Sequence, residues 1–231
     1  MADLYVLVPS RGRPGNIARL VQACSETCTA DTRLHFAFDD DDPALRANIE
    51  AAGRHRYVVG PRDGLAGWTN ELAARHVRRG DAAALASIGD DMLPVTPGWD
   101  RLLLDALPPG GGFAYPDDQR RDDIPEAVVI STAIVAALGW MCAPGLHHWY
   151  IDNVWADLGR GAGCLAYRPD VLVQHLHPNV RPDLTRPDGT YHDAAQRYDS
   201  DLAVYQRWRL RDMPRDIRAV LRVHAAALDH V

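Results

Sequence analysis

The chain has 231 residues, 47% hydrophobic and 24% charged, an ordinary globular make-up with ample material for a core. Its formal net charge is −6 and its 25 basic residues are all arginine, a balance that argues against attachment to nucleic acid by charge alone. No basic-then-apolar leader opens the chain, and the apolar run at residues 127–143 is short for a membrane span and carries Ser131, Thr132 and Gly139, so a cytoplasmic protein without a transmembrane segment is expected.

Residues 4–8 form a near-continuous apolar run, the pattern of a strand in a parallel sheet covered on both faces. Residues 9–15 form a loop carrying Arg11 and Arg13. Ile17, Leu20 and Val21 then give residues 16–23 a helical spacing. The four cysteines, Cys24, Cys28, Cys142 and Cys164, read as free thiols of a reducing compartment. A second strand over 34–38 ends in four acids, Asp39 to Asp42, and Pro43. A helix over 44–52 closes at Gly53, and a third short strand covers 57–59. A helix over 64–79 is entered through a segment containing Gly64 and Gly67. The next strand, from Ala82, stops abruptly at Gly89 before the adjacent carboxylates of Asp90 and Asp91. Pro94 and Pro97-Gly98 are expected to keep the following residues out of both helix and sheet.

Strand and helix alternate through this half, which predicts an open, mostly parallel α/β sheet. Ligands of such sheets bind beyond the carboxyl ends of the strands. Three polar loops fall at that edge: Arg11 with Arg13, the run from Asp39 to Asp42, and the Asp90-Asp91 pair. Neighbouring carboxylates at a strand exit repel one another unless a cation holds them, and a hard divalent ion suits oxygen ligands. The plain alternative is a solvated turn that ends the strand.

The second half changes character. A helix is expected over 99–107, a strand over 113–115, a charged loop over 116–123, and a buried strand over 128–130 running into a helix over 134–138. Residues 147–155 mix aromatics, imidazoles and Asp152. Residues 172–178 read as a strand leading into a turn, and 179–193 as a mobile, polar, Pro-rich loop. From Ala194 a helical tail interleaves arginines with Asp199, Asp201, Asp212 and Asp216, the pattern of a solvated, salt-bridged surface. No repeat or linker interrupts the chain. A single domain is expected, divided into 1–99, 100–193 and the helical tail at 194–231.

In order and spacing, four stretches resemble a nucleotide-sugar glycosyltransferase of the GT-A type, in the broad family-2 group. They are the first strand with its exit, Pro9 to Pro14; the acids after the second strand; Ser87 to Asp91 followed by Pro97-Gly98-Trp99; and Asp152 followed by His175 and His177. The resemblance implies a GT-A, Rossmann-like fold: a mostly parallel sheet flanked by helices, with a smaller C-terminal acceptor side. It implies a UDP- or GDP-type sugar donor and Mn2+ or Mg2+. Asp90 and Asp91 stand where the family has a D-x-D metal motif, although neither Ile88 nor Gly89 is acidic, so only the adjacent pair remains.

The roles that follow are expectations. Asp91 and Asp90 would hold the ion, with His175 or His177 as a further ligand; at i and i+2 of a strand both imidazoles point one way. Pro9, Arg11, Arg13, Asp39, Asp41, Gly67, Asn70 and Asp90 would line the donor. Asp39 to Asp42 would meet base and ribose, or Asp42 would simply cap the helix that follows. Asp152 would be the general base for the acceptor hydroxyl, or a helix cap. His148, Trp149 and Tyr150 would contact the acceptor, which could be a glycan, a small molecule or a modified nucleic-acid base. Two other readings compete: a sugar-phosphate nucleotidyltransferase, and a binding module that keeps the fold without chemistry.

Overall fold

Eight strands run through the centre of the described residues, 1–178 and 189–228 of a computed structural model, with side chains as far as 224. They are β1 (Ala2–Pro9), β2 (Thr32–Asp39), β3 (Arg56–Gly60), β4 (Ala82–Ser87), β5 (Met92–Pro94), β6 (Phe113–Asp117), β7 (Val128–Ser131) and β8 (Leu165–His175). The sheet order is β3-β2-β1-β4-β7-β6-β8-β5. β1 to β4 are mutually parallel, β7 runs against β4 and β6, β8 lies parallel to β6, and β5 closes the row antiparallel to β8. Winding goes outward from β1 to β3 and then jumps back to β4 on the other side of β1. That reversal makes a switch point between β1 and β4, where open sheets bind ligands.

Nine helices flank the sheet among the described residues: α1 (Pro14–Thr27), α2 (Leu45–Ala52), α3 (Gly64–Arg79), α4 (Trp99–Ala106), α5 (Thr132–Leu138), α6 (Ile151–Gly161), α7 (Gly189–Ala195), α8 (Tyr198–Arg211) and α9 (Met213–Leu228). Side chains alternate across β1 as strand geometry requires. Leu4, Val6 and Val8 pack with Ile17 and Leu20 of α1 and Trp99 and Leu103 of α4. Tyr5 and Leu7 pack on the other face with Leu72 of α3, Ile134 of α5 and Val154 and Leu158 of α6. Burial on both faces explains why β1, β2 and β4 read as near-continuous apolar runs, whereas β3 at the sheet edge is largely exposed. No helix of the described residues is long and apolar enough to cross a membrane.

Four expectations need correction. The prolines after Asp91 do not exclude a strand: Met92–Pro94 pairs with β8, Met92 opposite His175. Pro94 is tolerated because β5 ends the sheet, where a missing N–H breaks no central ladder. β8 begins at Leu165, not at residue 172, because Leu165 and Ala166 pair with Phe113 and Ala114 before Pro169 disturbs the pattern. Of the loop expected over 179–193, residues 179–188 lie outside the described residues, and 189–193 are helical in α7. The tail is not uniformly solvated: Asp201 and Asp216 are buried, Asp201 accepting from the N–H groups of residues 147–149 and Asp216 from the buried Trp208 Nε1.

Candidate active site

At the switch point, the loop leaving β1 meets the acids leaving β4. The Ser10 hydroxyl donates to Asp90, Arg13 Nη1 donates to it at 3.0 Å, and Asn16 Nδ2 lies at 3.4 Å. Asp90 is 5% exposed. Burial pushes its carboxyl upward, and the charge of Arg13 opposes that. Asp90 is therefore tied into the fold by three residues of the first βα unit. Arg13 also reaches Asp91, at 3.5 Å.

Asp91 sits differently. Tyr191 of α7 donates to its Oδ2 at 2.6 Å, and the Arg13 guanidinium lies 4.7 Å from the centre of the Tyr191 ring. Its other oxygen, Oδ1, lies 3.7 Å from His175 Nε2. The β5–β8 ladder makes that approach, because Met92 opposes His175 and Leu176 N–H donates to the Asp91 carbonyl at 2.8 Å. Ligand atoms about 2.2 Å from one octahedral ion stand about 3.1 to 4.4 Å apart, so a carboxylate and an imidazole at this separation fit a single divalent cation. Gly89 belongs to the same geometry: a Cβ there would lie 2.7 Å from Asp91 Oδ1. An acid at 89, as a full D-x-D motif would have, would push Asp91 aside.

His175 Nδ1 bonds Glu126 Oε2 at 2.8 Å, and Arg120 pairs with Glu126 at 3.0 Å. Burial would lower the His175 pKa, but Glu126 and Asp91 together raise it. Asp118, Glu126 and His175 each bring a donor atom within 4.8 Å of the others. Asp118 is 2% exposed, with its carboxyl pushed up to about 6 by burial. His177 is set beside this group, edge-on to both His175 and Tyr191 with ring centres 5.3 Å away.

At the exit of β2, Asp39 is held from both ends, by Trp68 Nε1 at 2.7 Å and Arg11 Nη1 at 3.0 Å, and Arg11 also pairs with Asp41. Pro9 ends β1 opposite Ala37 of β2. Asp42 has a local role: it accepts from the N–H groups of Gly12 and Ala44 and from the Asn48 amide, each at 2.8 Å, which turns the chain into α2. Gly67 is small because the Asp63 carboxylate folds over it, 2.2 Å from where a Cβ would stand. Asn70 differs from the donor-lining role expected of it. Its amide clamps the segment after α5, accepting from the N–H groups of Met141 and Cys142 and donating to the Cys142 carbonyl.

Asp152 occupies the first turn of α6 and is half-buried. Loss of hydration raises its carboxyl to about 6; Glu126 adds to the rise and Arg121 opposes it. Tyr150, just before the helix, has φ of 66°, costly for a bulky residue. It is held by a stack on Tyr205 at 5.1 Å. The N–H groups of His147, His148 and Trp149 all donate to Asp201, and Trp149 Nε1 donates to the Ala194 carbonyl. Trp149 and Tyr150 thus join this segment to the C-terminal helices. The His148 ring is half-buried, and desolvation lowers its pKa.

Cavity volume does not mark this site. A cavity of about 390 Å3 opens at the opposite end of the sheet, beside His35, Arg56, Arg75 and Arg79, where Arg56 and Arg75 are already paired with Asp81 and Glu71. The carboxyl-edge cleft is instead bridged by Arg13 and Tyr191. Ser10, Trp68, Glu126, Tyr191 and Asp201 are the site residues that the sequence pattern did not mark. Only Glu126 offered a signal, as an acid entering a buried strand.

No protein-family model matches the chain, and no curated protein matches it in sequence. Its fold does match solved structures. A mannosyltransferase from Pyrobaculum calidifontis, solved with GDP-Man and Mn2+, aligns over 100% of this chain and 76% of its own, with 13% identity and a TM-score of 0.64. Glucosyl-3-phosphoglycerate synthase from Mycobacterium tuberculosis, with Mn2+, UDP and glucosyl-3-phosphoglycerate, aligns over 88% and 80%, with 13% identity and a TM-score of 0.58. A fragment of S. aureus TarS solved with UDP-GlcNAc aligns over 82% of this chain and 60% of its own, with 8% identity and a TM-score of 0.54. At such identities the likeness speaks for architecture, and the chain has the GT-A fold of nucleotide-sugar transferases.

Proposed function

We propose that the chain is a metal-dependent glycosyltransferase that moves a sugar from a UDP- or GDP-type donor to an acceptor hydroxyl. The observation that carries this is the Asp91–His175 approach, 3.7 Å between Oδ1 and Nε2, at the switch point of the sheet. Asp91 and His175 are the residues that would hold Mn2+ or Mg2+, and Asp90 positions the loop. When bound, the ion would take up the charge that grows on the departing diphosphate.

The chain's own groups do the rest. Arg13, beside both acids, brings positive charge to the diphosphate side. Arg11 and Asp39 face the nucleoside end, joined in one ion pair that orders the loop before a ligand arrives. Asp152 takes the acceptor's proton on its carboxylate as the acceptor oxygen bonds to the anomeric carbon and the carbon–diphosphate bond breaks. A carboxyl near 6 suits that task at neutral pH, ionised yet basic enough to accept. Glu126 hydrogen-bonds His175 and its charge adds to the rise of the Asp152 carboxyl, which supports a base near the metal residues.

Nucleotidyl transfer has less support, because the loop after the first strand carries glycine and arginine but no lysine. The test is turnover with Mn2+. The transferase reading expects slow release of UDP or GDP from a sugar nucleotide without acceptor. Pyrophosphate release from a nucleoside triphosphate and sugar phosphate, with no sugar-nucleotide hydrolysis, would replace it.

A further inference from the structure

The geometry points to Glu126 as the positioning residue of the metal site, the carboxylate that fixes the ring and tautomer of His175; this rests on the metal reading above. His175 Nδ1 donates to Glu126 Oε2 at 2.8 Å, which leaves Nε2 as the nitrogen facing Asp91 Oδ1 at 3.7 Å. An imidazole that gives one N–H to a carboxylate presents the other nitrogen as a lone pair of fixed direction and raised basicity.

Glu126 is itself held. Its two oxygens lie 3.0 and 3.2 Å from Arg120 Nη1. The loop that carries both is folded by Asp118, whose Oδ1 accepts from the N–H groups of Arg120 and Arg121 at 2.7 and 2.8 Å. The other Asp118 oxygen, Oδ2, is buried without a hydrogen-bond partner, and its carboxylate stands within 4.8 Å of the Glu126 and His175 donor atoms. The Asp118 carbonyl also lies 3.4 Å from the His175 N–H, so loop and strand are joined through backbone as well. The 117–127 loop thus aims the histidine, and a residue 49 positions away from His175 sets which nitrogen the metal meets.

Mn2+ binding to the full chain, followed by the loss of free-ion EPR signal, tests this without turnover. Glu126→Ala should weaken Mn2+ by roughly 10- to 100-fold, as loss of such a carboxylate does elsewhere. Glu126→Gln, whose amide oxygen still accepts from Nδ1, should lose clearly less. Imidazole 15N spectra should show the Nδ1–H tautomer of His175 in the wild type and a mixed population in Glu126→Ala, a change that altered packing alone would not produce. His175→Ala and Asp91→Ala are the controls. If both controls lose Mn2+ while Glu126→Ala binds it within about twofold of wild type and keeps the Nδ1–H signal, the role of Glu126 is overturned and the metal reading stands. If both controls bind Mn2+ as the wild type does, the metal reading falls and this inference falls with it.

Discussion

Asp90 directs its carboxylate inward to Ser10, Arg13 and Asn16, whereas Asp91 turns one oxygen toward His175. Alanine at the two positions should therefore have opposite signatures. Asp90→Ala removes the buried carboxylate that Ser10, Arg13 and Asn16 all reach and should cost about 2–4 kcal/mol in urea denaturation. Asp91→Ala should cost about 1 kcal/mol or less and abolish Mn2+ binding. Asp152 gives a second residue-scale test. Its carboxyl is raised to about 6, so the folded state favours the protonated form. The resulting stability is present at pH below about 4 and is lost as pH rises through about 6. Asp152→Asn should then be more stable than wild type at pH 8 by about 1–2 kcal/mol and equal to it at pH 3.5. The same substitution should lower kcat/KM by about 10²- to 10⁴-fold, while the wild-type kcat/KM rises with pH through about 6 and then levels. At this scale the positions of the acids at strand exits were legible, because each follows directly on an apolar run. Their partners were not: Tyr191 is 100 residues from Asp91 and Ser10 is 80 from Asp90. No local pattern records contacts of that range.

The element that builds the site is β5, three residues long. Asp91 and Leu176 exchange a backbone hydrogen bond, and Val95 N–H donates to the Leu172 carbonyl. Alternation along an antiparallel pair then makes Leu93 and Gln174 the bonded pair between them. Leu93→Pro removes that bond and should release Asp91 from His175. The expected result is loss of Mn2+ binding in Leu93→Pro and its retention in Leu93→Ala, with helical CD unchanged in both. Equal binding by both variants would show that the ladder does not set the site. Sequence reading placed β1 to β4 closely, since burial on two faces leaves β1, β2 and β4 as dense apolar runs and the exposed edge strand β3 still carries Tyr57-Val58-Val59. It excluded β5, because Pro94 and Pro97 are usually breakers, and a three-residue edge strand has no periodicity of its own. The buried Asp201 was lost for a similar reason. In a helix of alternating charges, nothing local separates the acid that ties down residues 147–149 from those that face water.

For the whole molecule, the polarity of the sheet decides what can bind where. β1, β2 and β4 deliver Arg13, Asp39 and Asp90 to one edge, while the reversed β7 and the late β8 and β5 bring His175 back to it. The parallel half was legible from alternating apolar runs; the reversal at β7 was not, since a buried antiparallel strand and a buried parallel one look alike in sequence. On the proposed reading the donor site is shared between a nucleotide-facing half and a metal-facing half, linked by the contact of Arg13 with Asp91. Nucleotide and metal should therefore stabilise the protein together more than the sum of either alone. At about 100 times its Kd, a ligand adds about 2.7 kcal/mol, or about 5–10 °C in a domain of this size. UDP or GDP with Mn2+ should produce a shift of that order in a thermal melt, and either component alone should produce much less. His175→Ala should reduce the combined shift to that of the nucleotide by itself, because the diphosphate then keeps only Arg13. A combined shift that survives in His175→Ala would place the cation elsewhere and leave the two halves of the site uncoupled.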